Sequence, residues 1–114
     1  MTLVERAAAT YIAVAQEPDS ARRHQMLEAC FAEDGKLVTR TREVVGRAAI
    51  AVMFDAFFAG DQTAQLAGAI DAVGQTFRFR ANTLDITGAV VASVFDAGMI
   101  GADGKITLIL TFPD

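Results

Sequence analysis

The chain has one cysteine, Cys30, and one histidine, His24. A lone cysteine cannot close an internal disulfide, and that usage fits a reducing, cytoplasmic compartment. No cysteine or second histidine stands near His24 at ligand spacing, so no metal site is expected. Basic clusters are scarce too: ten Lys and Arg stand against fourteen Asp and Glu, for a net charge of −4. Phosphate binding needs a concentrated positive patch, and Arg22-Arg23 and Arg40 with Arg42 are only short pairs. Arg78 and Arg80 alternate with Phe77 and Phe79 and so imitate a base-stacking surface, but in an acidic chain they read as the polar face of a strand. No nucleic-acid partner is expected. Nor is any apolar run long enough to span a membrane. The nearest imitation of a secretory leader is Ala7 to Ala15, but Glu5 precedes it, Arg6 is the one early basic residue, and Thr10 and Tyr11 interrupt it. It reads as a helix of the mature protein.

What remains is one domain, residues 1–114, with 53% hydrophobic and 21% charged residues. The charged fraction is ordinary for an ordered protein. The apolar surplus can fill a large core, line a cavity, or form a subunit interface.

Thr2-Leu3-Val4-Glu5 has capping-box spacing, and Val4, Ala8, Tyr11 and Ala15 recur on one helical face. A first helix is expected from Leu3 to Gln16, stopped by Pro18. Asp19 or Ser20 can cap a second helix carrying Met26, Leu27, Cys30 and Phe31, ending near Glu33 with a turn at Asp34-Gly35. Lys36 to Thr41 reads as a strand, and Glu43 to Gly46 as a turn into a third helix with Ile50, Met53, Phe54, Phe57 and Phe58 on its apolar stripe. Strands are expected over Ala64–Ala72, Thr76–Leu84, Ala89–Ile100 and Lys105–Phe112, separated by turns at 73–75, 85–88 and 101–104. Tight turns make such strands antiparallel. Helices first and strands after give an α+β fold.

Three segments carry a resemblance: Phe31-Ala32-Glu33-Asp34 before a strand, Gly46-Arg47-Ala48-Ala49-Ile50 opening the third helix, and Asp96 through Asp103-Gly104-Lys105-Ile106 to Phe112. In this order and spacing they resemble the nuclear-transport-factor-two-like superfamily, and within it the SnoaL-like proteins. The resemblance implies a cone, a cystatin-like α+β barrel whose curved, largely antiparallel (mixed) sheet wraps around three helices and encloses an apolar pocket. It also implies a homodimer through the open sheet face, no cofactor, and a small apolar molecule as partner. The superfamily includes ketosteroid isomerases, polyketide cyclases, dehydratases and epoxide hydrolases, and also non-catalytic binding domains, so the fold does not fix the chemistry.

Most carboxylates have structural explanations: Asp19 caps a helix, and Asp34, Asp85 and Asp103 sit in turns. Asp96 does not. It interrupts an apolar strand on the face it shares with Ala92, Val94 and Gly98. Burying a carboxylate costs several kcal/mol unless it is paired or protonated. Either Arg47, Arg78 or Arg80 pairs with it, or it serves a site as acid, base or hydrogen-bond donor. Tyr11, the one tyrosine, faces inward from the first helix and is either a core residue or a ligand contact. By resemblance, Tyr11 and Asp96 match the oxygen-binding pair of ketosteroid isomerases, and Asp96 also matches the acid/base aspartate of SnoaL-like cyclases. Where the isomerases carry a proton-abstracting aspartate this chain has Thr39, which cannot act as a base. Phe54, Phe57, Phe58, Val94 and Phe31 are the expected ligand-contacting walls. His24 reads as a surface helix residue and Cys30 as a small buried hydrophobe.

Overall fold

A computed structural model describes all 114 residues. Helix α1 (Leu3–Val14) starts at a complete capping box: the Thr2 hydroxyl accepts from the Glu5 amide at 3.2 Å, and the Glu5 carboxylate accepts from the Thr2 amide at 3.2 Å. Such a cap is worth about 1 kcal/mol. Its buried residues, Val4, Ala7, Ala8, Tyr11, Ile12 and Val14, are the stripe the sequence shows. Helix α2 (Ser20–Cys30) is capped by Asp19, whose carboxylate accepts from the Arg22 amide.

The expected Asp34-Gly35 turn is absent. Strand β1 (Phe31–Val38) begins as α2 ends and runs straight through both residues. The reason lies inside: a Cβ at Gly35 would fall 2.5 Å from the Phe31 ring and 2.9 Å from the Ile106 carbonyl. Glycine is there for close approach, not for a turn. Glu43–Val45 likewise forms strand β2, antiparallel to β1, instead of a plain turn. Gly46, at φ +94°, then admits the chain into α3 (Arg47–Ala59), which buries Ile50, Ala51 and Phe54. The expected strand over Ala64–Ala72 is two pieces, β3 (Thr63–Leu66) and β4 (Asp71–Val73), broken around Gly68 at φ +103°. Both pair antiparallel with β5 (Thr76–Leu84). Strands β6 (Val90–Ile100) and β7 (Ile106–Pro113) complete the chain.

The seven strands form one open, mixed sheet in the order β2-β1-β7-β6-β5-β3, with β4 beside β5. Only β1 and β7 pair in parallel, through Leu37 opposite Ile109 and Val38 opposite Leu110. The helices cover one face. Phe77, Phe79 and Ala81 of β5 point toward them and are buried, while Arg78 and Arg80 point away. At Gly98 of β6 the missing side chain makes room for the Phe77 ring, which an added Cβ would meet at 2.5 Å. No helix is long and apolar enough to cross a membrane.

Candidate functional site

Between α1, α3 and the covered face of the sheet lies a cavity of about 420 Å³ with a mainly hydrophobic wall. That is large enough for a small organic ligand. Each element contributes by its own periodicity. Helix α1 turns Tyr11 inward, and α3 sends in Phe54 and Phe57. Phe79 comes from β5, Val94 and Asp96 from alternate positions of β6, and Thr111 from β7. Tyr11 is held by edge-on contact with Phe54, ring centroids 5.8 Å apart, and by Phe31 at 6.0 Å behind it.

Asp96 sits between Phe79 on β5 and Thr111 on β7. It is 6% exposed, and its Oδ1 has no hydrogen-bond partner. Burial pushes its carboxyl up to about 6, while Thr111 pulls the other way. None of the arginines that might have neutralised it does so. Arg78 binds Asp71 at 2.9 Å, Arg80 meets Asp114 at 3.3 Å, and Arg47 donates to the Phe31 carbonyl at 3.1 Å. The pairing alternative for Asp96 is therefore replaced by an unpaired carboxyl facing a cavity.

Tyr11 is buried as well, and burial first, then the nearby Asp96 charge, holds its phenol well above the usual range. It remains a neutral donor across ordinary pH. Cys30 is 2% exposed and burial pushes its thiol up to about 12, so it is not a ready nucleophile. No group of three or more His, Cys, Asp or Glu side chains is gathered as a metal site would require.

Two expected walls lie elsewhere. Phe31 is fully buried beneath Gly35 and supports Tyr11 from behind without lining the cavity. Phe58 turns toward α2, where the Arg23 guanidinium stacks 4.2 Å from its ring centroid. In their place stand residues not expected on the cavity wall: Met53, which the sequence shows only as part of the apolar stripe of α3, Arg42, seen only as half of a short basic pair, and Leu37, Gln62 and Thr83. Arg42 is on the short hairpin between β1 and β2, beside Thr39, which also lines the cavity. Polar side chains in a turn give no sequence signal of facing a site.

No protein-family model matches the chain, and no curated protein matches it. Solved structures do. A candidate isomerase of the SnoaL-like family from Agrobacterium tumefaciens is 28% identical, with 100% of this chain and 99% of that chain covered at a TM-score of 0.89. A protein of unknown function with a cystatin-like fold from Methylobium petroleophilum is 20% identical over 97% of this chain and 75% of that one, TM-score 0.79. A candidate polyketide cyclase from Sinorhizobium meliloti is 19% identical over 93% of each chain, TM-score 0.72. The segments Phe31–Asp34, Gly46–Ile50 and Asp96–Phe112 thus lie in the architecture they resemble, and the chain shares its fold over its full length with a structure of the SnoaL-like family, to which it is similar.

Proposed function

We propose that the chain binds a small apolar molecule in the cavity and exchanges a proton with it at Asp96. The observation that carries this reading is the unpartnered Oδ1 of a 6% exposed carboxyl in a mainly hydrophobic cavity. A carboxyl near pKa 6 is ionised at neutral pH, basic enough to accept a proton and still acidic enough to return it. The Tyr11 phenol keeps its proton and donates to the substrate oxygen on which charge develops. This fits an isomerase, cyclase or hydrolase of the acid/base type, working without a cofactor. Thr39 at the cavity wall adds no second base. Asp96→Asn preserves shape and removes the base; with a turned-over ketone, enone or epoxide the rate is expected to fall about 100-fold or more. Survival of the rate within a few-fold sinks the mechanism.

A second reading has its own support. Asp96 is the single carboxylic acid on the cavity wall, so the same pocket serves a non-catalytic binding domain equally well in shape. Ligand binding with no turnover in either wild type or Asp96→Asn would favour it.

The uncovered sheet face supports a homodimer. Phe95 lies opposite Phe112, Ala97 opposite Leu110, and Met99 opposite Leu108, all away from the helices. Phe112 is 51% and Met99 41% exposed, which places part of the apolar surplus on this face. Light scattering on wild type and Leu110→Glu tests it: the wild type is expected at twice the chain mass and the variant at one.

A further inference from the structure

The cavity wall carries two ionisable charges, Asp96 and Arg42, and they differ in their setting. Asp96 is buried, whereas Arg42 is exposed, so the guanidinium marks the open end and the carboxyl the closed one. The backbone holds Arg42 firmly. Its carbonyl accepts from the Thr39 amide at 2.9 Å, and its amide donates to the Thr39 hydroxyl at 3.2 Å. Its side chain has no acidic partner: the carboxylates that form ion pairs do so with Arg22, Arg23, His24, Lys36, Arg78 and Arg80. Arg40, two positions earlier, does not line this cavity but a second, smaller hollow with Val38, Leu110 and Phe112, the two meeting at Thr39 and Thr111. The rest of the wall is mainly apolar, with Thr39, Gln62, Thr83 and Thr111 as its other polar residues, none of them charged.

Resting on the reading of the cavity as a ligand site, we propose that its ligand is a small apolar carboxylic acid, its carboxylate held by Arg42 at the mouth and its hydroxyl or carbonyl end at Asp96 and Tyr11. A guanidinium offers two parallel N–H donors that match a carboxylate. At the closed end the orphan Oδ1 of Asp96 is an acceptor waiting for a hydroxyl, and the Tyr11 phenol is a donor for a carbonyl. An apolar body fills the space between. A purely apolar ligand would leave both ends unmatched, and a dianion would place a second negative charge against Asp96. The molecule that satisfies both ends is therefore a monoacid with a neutral oxygen at its far side.

Calorimetry with three probes on the full chain tests this: a hydroxynaphthoate with its two groups at opposite ends, the corresponding naphthol lacking the carboxylate, and the carboxamide. The hydroxynaphthoate is expected to bind about tenfold or more tighter than the naphthol and the amide. Arg42→Gln is expected to erase that advantage while leaving naphthol affinity within about twofold, and Arg42→Lys to keep part of it. Arg40→Gln, across the hairpin, is expected to leave the ratio unchanged. Raised salt should narrow the ratio. If the naphthol binds and the acid binds no better, or the acid's advantage survives Arg42→Gln, the carboxylate assignment is overturned while the pocket stands. If none of the three displaces a dye from the cavity, the pocket reading falls and takes this inference with it.

Discussion

Folding buries two charged side chains, Arg23 at 3% exposure and Asp96 at 6%. Around Arg23 the chain supplies partners on every side. Its guanidinium donates to the carbonyls of Glu17 at 2.8 Å and Pro18 at 2.9 Å and to Asp55 at 2.9 Å, and it stacks on Phe58. Only its Nε is left over. Asp55 in turn accepts from Ser20 and lies 3.4 Å from His24, so one carboxylate collects three groups of α2 onto α3. Around Asp96 there is one polar group that bears on its carboxyl, Thr111, with the Tyr11 phenol nearby, and a hollow. A buried charge held by three hydrogen bonds and a stacked ring is a fastener between helices. A buried charge without them is a standing cost, and costs of that kind gather at functional sites.

The largest effect expected from this contrast is at Arg23. Arg23→Ala removes the donor from two carbonyls and a carboxylate and leaves a void under Phe58. Urea unfolding is expected to show a loss of about 2–4 kcal/mol. A loss under about 0.5 kcal/mol would mean that the helix pair does not depend on this cluster. Ligand binding in the separate cavity should persist in the folded variant.

At Asp96 the sign reverses. Its folded-state pKa is raised from 3.8 to about 6. Between those values the folded chain holds a proton that the unfolded chain has lost, so stability falls as pH rises through that window and is level above it. About two pKa units correspond to about 3 kcal/mol at neutral pH, an upper limit since water reaches the cavity. Asp96→Asn is therefore expected to stabilise the chain by about 1–2 kcal/mol at neutral pH, part of the gain being offset by burial of the amide. The gain should shrink toward zero near pH 4. A variant less stable than wild type at neutral pH would mean that the carboxylate is held by a partner, as Arg23 is.

The same contrast explains what could be read from the sequence. The α1 capping box, the alternation Phe77-Arg78-Phe79-Arg80 and the turns at 85–88 and 101–104 are local signals, and the structure keeps each. Asp96 was legible because one carboxylate in an apolar strand violates the local rule, and such violations mark sites. The parallel pairing of β1 with β7 joins residues some seventy positions apart and has no local trace. Gly35 looked like a turn because the ring that needs its bare Cα is Phe31, visible only when the strand is folded. Phe57 and Phe58 adjoin on one helix, and no periodicity says that one faces the cavity and the other Arg23. Arg42 reads from the sequence only as half of a short basic pair, because its place on the cavity wall depends on where the hairpin closes over the sheet.

Thr111 sharpens the comparison at its smallest scale. It is the polar group that does lean on Asp96, from the opposite strand, and it favours the ionised carboxyl. Thr111→Val keeps the branched shape and removes the hydroxyl, so the two proteins differ by that single interaction. Global stability should change by less than about 1 kcal/mol, a typical figure for one hydrogen bond. The pKa should move further up from about 6, because only the opposing influence has been taken away. Following the Asp96 carboxyl carbon by NMR through an acid titration reads the shift directly, and any catalytic profile governed by that group should slide toward higher pH with it. A midpoint that stays put would show Thr111 to be a bystander and leave burial as the whole cause. A midpoint that falls would mean the hydroxyl had been stabilising the neutral acid, which would recast Asp96 as a proton donor to its ligand.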